Sequence, residues 1–305
     1  MKKCVLVYNP NSGKGKVKKY LSDIISIIRD KGYDVDVFCS KYKGHTIEIV
    51  RDINKADLVM SFGGDGTFNE AMRGNVLRKN RLVLAHIPVG TTNDVGAMFG
   101  YGKNILRNVL MTLDGEVKDV DICMINNTPF IYVAGFGKYM DISYDTPRDL
   151  KKKLGYFAYI KEGVKAFFSK VKMYDIGYNI DGKEYRGLFS LILISSANHI
   201  AGFSNVYNDV KLDDNKFEVV FCNIKSKREI FKSLYFLTKY DASRVPGFYF
   251  YRTNDLKIKF YNKGRECWGI DGEKLNDHGE EFEIKIINNV KIIVPLKNIK
   301  KLFIN

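Results

Sequence analysis

Short apolar runs that alternate with helix-spaced stretches constrain this chain more than any other feature. Over the first 125 residues, Cys4–Tyr8, Val35–Cys39, Leu58–Phe62 and Leu82–Ile87 are brief, β-branched and apolar, and Asn9-Pro10 and Pro88 stop two of them. Between them, Val17, Leu21, Ile24, Ile25 and Ile28 recur at helical spacing, with Gly32 as the stop. Further helices are predicted around Thr46–Ile53 and from about Thr67. Strands alternating with helices at this spacing require a parallel sheet covered on both faces. Beyond residue 125 the rhythm changes. Phe130–Ala134, Ile176–Ile180, Leu188–Ser195, Phe217–Cys222, Leu256–Phe260 and Phe282–Ile287 read as strands, with Asp181-Gly182 as a hairpin turn and one helical stretch, 149–171. The fold class is therefore an α/β domain over 1–125 followed by an antiparallel, β-rich domain over 126–290.

Composition narrows the partners. The 305 residues carry 49 Lys+Arg against 35 Asp+Glu, a net charge of +14, which calls for an anionic partner. No apolar run is long enough to span a bilayer, and the N-terminus lacks the apolar core of a signal peptide. Five scattered cysteines without a Cys-x-x-Cys read as reduced core thiols in a cytoplasmic protein. The four histidines show no metal-ligand spacing, and His86 reads as a core residue.

The chemistry concentrates in three loops that follow the first, third and fourth strands. They are Asn9-Pro10-Asn11-Ser12-Gly13-Lys14-Gly15, Gly63-Gly64-Asp65-Gly66-Thr67 and Pro88-Val89-Gly90-Thr91-Thr92-Asn93-Asp94. In a parallel sheet all three emerge at the carboxyl ends of the strands, where open α/β folds bind ligands. Glycine lets backbone approach a phosphate, and a helix N-terminus behind such a loop attracts an anion. Asp65 and Asp94 sit where a bare anion site would avoid acids, so a bridging cation, magnesium, is expected. Neither a Gly-x-x-x-x-Gly-Lys-Ser/Thr loop nor a Gly-x-Gly-x-x-Gly after the first strand is present, which counts against P-loop and dinucleotide-binding readings.

These blocks, with Phe68-Asn69-Glu70 completing the second, resemble the diacylglycerol kinase catalytic family. The likeness continues through Ser40, Gly44-His45-Thr46, Asp121, Lys211–Phe217 and Asp271-Gly272-Glu273. The resemblance implies an ATP-dependent lipid kinase with its active site in a cleft between an α/β domain and a β-sandwich, and a terminal segment, 291–305, returning to the first domain. It implies a nucleotide site made by Asn9, Pro10, Asn11, Ser12, Gly13, Ser40, Gly63, Gly64, Asp65, Gly66, Thr67, Asn69, Glu70, Gly90 and Thr91. Asp65, Asp94 and Asp121 match residues that organise magnesium through water. Glu273 matches the catalytic base, with Asp271 beside it. Asp214, with the carbonyls of Lys211 and Lys216, matches a structural magnesium site. Asn215 stands where the family has Gly, and Asn tolerates the left-handed conformation such a turn needs.

The substrate implied is a lipid hydroxyl, foremost that of diacylglycerol. Ceramide, sphingosine, phosphatidylglycerol and polyprenols stand as alternatives. NAD kinases share the Gly-Gly-Asp-Gly-Thr block but not the Gly-Thr-x-Asn-Asp block. A nucleic-acid partner is not expected, because no helix-turn-helix, zinc or RNA-recognition signature accompanies the charge. A homodimer is allowed. Residues 148–172 carry eight Lys/Arg against Asp149 and Glu162, with aromatics at helical spacing. The apolar face fits packing on the second domain. The charges fit peripheral attachment to an anionic membrane surface. Val245–Arg252 is a second, aromatic candidate.

Overall fold

The computed structural model describes residues 1–90, 93–137, 170–196, 199–200, 203–204, 210–264, 266–271 and 273–304. Thr91, Gly272 and most of 148–172 thus lie outside the described residues. The chain forms two compact units: Met1–Ile122 with Lys211–Asp214 and Ile287–Asn305, and Cys123–Val210 with Asn215–Ile286. Lys211–Asp214, which the sequence places in the second domain, clusters with the first.

In the first unit, β1 (Lys2–Tyr8), β2 (Tyr33–Cys39), β3 (Leu58–Gly63) and β4 (Leu84–Pro88) form a parallel sheet in the order β2-β1-β3-β4. Every residue of β3 and β4 is buried, as strands covered on both faces must be. Helix α1 (Lys16–Lys19) and α2 (Leu21–Asp30) follow β1, α3 (His45–Asp52) follows β2, and α4 (Asp65–Val76) follows β3. Two short helices, α5 (Asp94–Met98) and α6 (Ile105–Leu113), come next. Ile24 and Ile28 of α2 and Val109 of α6 bury against Leu6, Met60, Phe62 and Ile87. This spacing of four along α2 is the one visible in the sequence. Strand β5 (Glu116–Ile125) leads out of the unit.

The second unit contains β6 (Thr128–Phe130), β7 (Val133–Gly137), β8 (Tyr174–Ile180), β9 (Lys183–Phe189), β10 (Leu191–Ser195), β11 (His199–Ile200), β12 (Phe203–Ser204), β13 (Phe217–Cys222), helix α7 (Lys227–Leu237), β14 (Phe248–Thr253), β15 (Asp255–Phe260), β16 (Gly269–Ile270) and β17 (Glu273–Lys274). Strand β18 (Glu281–Val294) starts here and finishes in the first unit, where Ile292 lies parallel to Leu84 of β4. Helix α8 (Ile299–Leu302) follows it.

The unit is a sandwich of antiparallel strands. One layer pairs β9 with β8, β8 with β15 and β15 with β18, while the other runs β14-β13-β10-β7-β16-β17. Aromatic rings join the layers: Phe136 of β7 meets Phe260 of β15 with centroids 4.4 Å apart, and Tyr178 of β8 stacks on Phe221 of β13 at 4.0 Å.

Two expected strands change. Leu188–Ser195 is not one strand, because the chain leaves one layer at Phe189 and enters the other at Leu191. Ser190 sits at that corner, with its N–H and hydroxyl both given to the Cys222 carbonyl. Phe130–Ala134 likewise divides, because Ile131 and Tyr132 leave the strand path to bind a side chain described below. Helix α7 is an element that the sequence pattern does not announce. The five thiols are free, and Cys39 is exposed where a core residue was expected.

Candidate active site

The three loops converge as predicted. Loop one leaves β1 through an Asx turn, in which Asn9 Oδ1 accepts the Asn11 N–H at 2.9 Å, and then runs through Gly13, Lys14 and Gly15, all left-handed. Gly13 has φ +58°, and a Cβ there would stand 2.3 Å from the Val89 carbonyl oxygen of loop three. The Val89 N–H in turn donates to the Gly63 carbonyl at 2.8 Å, which fastens loop three to loop two. Gly90 presses on Gly64 so closely that a Cβ would meet the Gly64 Cα at 2.6 Å. Gly13 and Gly90 are therefore required by backbone-to-backbone contact, and the surface where they meet Val89 and Gly64 is made of main chain. Gly64 caps α4 without a side-chain partner, which leaves the N-terminal end of a 12-residue helix facing this surface. Its donors and dipole suit a phosphate.

The acids and polar residues divide their tasks. Asp65 accepts the N–H groups of Asp94 (3.0 Å) and Val95 (3.1 Å), one on each carboxylate oxygen. It thereby occupies the N-terminus of α5 and joins loops two and three. Glu70, expected among the nucleotide residues, accepts the Gly44 N–H at 2.8 Å and ties the segment after β2 to α4. Ser40 is buried, its N–H donating to Tyr8 at 2.9 Å. Thr67 lies against Gly63, and Asn69 is buried. Asn93, left-handed, donates to the Gly90 carbonyl at 2.9 Å. Beneath them, His86 of β4 stacks on Phe68 of α4 at 4.7 Å and is fully buried. Burial pushes its imidazole down to about 3. The Ser61 backbone opposite pulls weakly the other way, although neither ring nitrogen reaches hydrogen-bonding geometry among the described residues.

Among the described residues no three His, Cys, Asp or Glu side chains gather closely enough to ligate a metal directly. Asp65, Asp94 and Asp121 are thus not a direct ligand set. The two Asp65 oxygens each accept one of these N–H groups, and an ionised carboxylate has acceptor capacity for more than two bonds. Asp121 is buried on β5, its N–H on the Leu212 carbonyl at 2.7 Å. In the Lys211–Lys216 turn, Asn215 adopts φ +55°, the conformation expected of it. Lys211 Nζ donates to the carbonyls of Lys300, Lys301 and Phe303 at 3.2, 3.0 and 3.1 Å, clamping the C-terminal segment. Neither that contact nor the Asp213 carboxylate on the Ile304 N–H at 2.9 Å was legible in the sequence.

In the second unit, Asp271 follows β16 at φ +48° and Glu273 opens β17, the two strands pairing antiparallel. Asp271 is buried, and its carboxylate accepts the N–H groups of Ile131 (2.7 Å), Tyr132 (3.1 Å) and Val133 (3.1 Å). The geometry gives it an anchoring task. Glu273 is half-buried on β17, opposite Ile270 of β16.

Comparison with known proteins agrees with this arrangement. The family model of the diacylglycerol kinase catalytic domain matches residues 3–125. A diacylglycerol kinase of Staphylococcus haemolyticus is 30% identical over 90% of this chain and 83% of its own length. One from Bacillus subtilis is 27% identical over 99% of both. A crystal structure from Bacillus anthracis superposes with a TM-score of 0.83 at 22% identity, covering 98% of this chain and 97% of that one. A second from that organism, a diacylglycerol kinase, gives 0.75 at 20% identity and 98% coverage of each chain. The chain belongs to the diacylglycerol kinase family and is a kinase of that lipid-phosphorylating class. No helix among the described residues is long and apolar enough to cross a membrane.

Proposed function

We propose that this protein transfers the γ-phosphoryl group of ATP to the free hydroxyl of diacylglycerol, yielding phosphatidic acid and ADP. The observation that carries this reading is the main-chain surface made where Gly13 meets Val89 and Gly90 meets Gly64, at the N-terminus of α4. Such a surface favours phosphates and leaves no room for side chains. Phosphoryl transfer needs chiefly positioning and charge neutralisation. Magnesium, when bound, supplies that neutralisation, and Asp65, Asp94 and Asp121 would hold it through water. Glu273 takes the proton from the attacking hydroxyl, and Asp271 holds the turn that carries it. A structural magnesium at Asp214 and the carbonyls of Lys211 and Lys216 belongs to the same proposal.

The test is purified protein with ATP, magnesium and a lipid panel in anionic mixed micelles. The panel covers diacylglycerol, ceramide, sphingosine, phosphatidylglycerol and a polyprenol. Phosphatidic acid should form fastest, and Glu273→Gln should lose at least ~100-fold in kcat. Preference for another lipid, or a fully active Glu273→Gln enzyme, overturns the assignment.

A further inference from the structure

Helix α7 carries an apolar face that points away from the core it is built on. It begins at Ser226, whose hydroxyl accepts the Glu229 N–H at 3.3 Å while Glu229 reaches back to the Ser226 hydroxyl (3.0 Å) and the Lys225 N–H (2.9 Å). This reciprocal cap fixes the start of the helix and consumes its acidic residue. One side, Ile230, Ser233 and Leu237, packs on the outer face of the β14-β13-β10 layer with Val220, Cys222 and Ala242. Another side carries Phe231, Leu234 and Tyr235, which are 63%, 41% and 56% exposed. The spacing i, i+3, i+4 places these three together on the helix surface. A helix covering a core in water carries polar residues there instead.

Cations border this face. Lys227, Arg228 and Lys232 lie on the helix, and Lys239 follows it with Nζ 4.8 Å from the Tyr235 ring centroid. Over residues 225–244 there are six Lys/Arg against Glu229 and Asp241, a net +4. Asp241, like Glu229, is internally used, on the N–H and hydroxyl of Ser243. Exposed aromatic and leucine side chains bordered by cations whose local acids are already occupied match the interfacial region of an anionic bilayer. Neutral water matches only the cations, and a neutral apolar partner matches only the aromatics.

From this we infer that α7 is a membrane-docking element, with Phe231, Leu234 and Tyr235 entering the headgroup–acyl boundary of an anionic bilayer and Arg228, Lys232 and Lys239 meeting its phosphates. The inference rests on the lipid-kinase reading, since such an enzyme must draw its substrate from a bilayer, and it names a surface additional to 148–172.

The test uses the full chain and vesicles of phosphatidylcholine with or without 30 mol% phosphatidylglycerol, on the order of cellular anionic content. Wild type should bind the anionic vesicles, more weakly as salt rises. Phe231→Ser/Tyr235→Ser should bind at least ~10-fold more weakly, and Arg228→Glu/Lys232→Glu should lose the preference for phosphatidylglycerol. The single native tryptophan, Trp268, is fully buried. A tryptophan introduced by Phe231→Trp should therefore be quenched by brominated lipid with little background.

On a short-chain, water-dispersed diacylglycerol the double variants should keep wild-type turnover, while losing turnover of diacylglycerol held in vesicles. Inactivity of wild type on every lipid, with vesicle binding intact, would count against the kinase reading and not against docking. Unchanged vesicle binding in Phe231→Ser/Tyr235→Ser, or a change confined to sedimentation as monomer or dimer, would overturn docking and assign the face to another role.

Discussion

Replacing Asp271 separates an anchor from a catalyst. Three backbone N–H groups, of Ile131, Tyr132 and Val133, end on its carboxylate at 2.7, 3.1 and 3.1 Å, and the residues around them are largely buried. Hydrogen bonds to an ionised acceptor contribute about 1.5–3 kcal/mol each, and donors left buried without a partner cost about 1–3 kcal/mol each. The three share one acceptor and do not add fully, so Asp271→Ala should cost roughly 4–6 kcal/mol. About 1 kcal/mol of that comes from forcing Ala to φ +48°. Asp271→Asn is the cleaner probe, because Asn tolerates that backbone conformation and keeps one oxygen. It should cost roughly 2–3 kcal/mol, the share of the charge and one acceptor. Urea unfolding followed by fluorescence of buried Trp268 reads this directly, as a lower midpoint with an unchanged slope. Turnover should fall with stability, since Glu273 lies two residues away on the same hairpin. A stability loss below about 0.5 kcal/mol combined with abolished turnover would refute the anchoring argument and return Asp271 to proton transfer.

Other outcomes follow from the same geometry. Gly90→Ala puts a methyl 2.6 Å from the Gly64 Cα, so the protein should fold while its KM for ATP rises roughly 10-fold or more, as measured by initial rates over an ATP series. His86 is neutral and buried in the fold, with its ionisation lowered to about 3 from an ordinary 6.5. The unfolded chain therefore takes up the proton first as pH falls. The contribution is intact above about pH 6.5 and is lost toward pH 3, amounting to roughly 2.5 kcal/mol at pH 4.5. Urea midpoints at pH 7.5 and 4.5 should converge by about that amount in His86→Leu, and equal pH dependence in both proteins would contradict it. Lys211→Met removes the donor shared by three carbonyls of residues 300–303 and should cost about 1–2 kcal/mol, with faster hydrogen exchange confined to α8 and the strand end before it.

The parts legible in advance share a physical cause. Strands β3, β4 and β13 are buried throughout and β1 is buried along its middle four residues, so each announces itself as an apolar run, whereas the edge strand β2 is legible only through its alternating Val35 and Val37. The Gly-rich loops were legible because close contact at Gly13, Gly63 and Gly90 admits no larger residue. Strand β9 was not legible, since five of its seven residues are exposed and its charged pattern, Lys-Glu-Tyr-Arg, is that of a polar loop. Helix α7 hid because its apolar residues spread around two faces, Ile230 and Leu237 toward the sandwich and Phe231, Leu234 and Tyr235 toward solvent, which blurs the single stripe that marks a surface helix.

By itself the sequence determined the α/β alternation, the three loops at one end of a parallel sheet, the antiparallel second half and the family. Each of these depends on local spacing and residue size, which the chain carries wherever it goes. Only the tertiary structure decided that Asp271 serves the backbone of residues 131–133, that Glu70 holds Gly44, and that Lys211 clamps the carbonyls near Phe303. A carboxylate or ammonium reads alike in sequence whether it meets substrate, water or main chain. Its task is set by which donors or acceptors the fold brings within about 3 Å of it, up to 140 residues away along the chain.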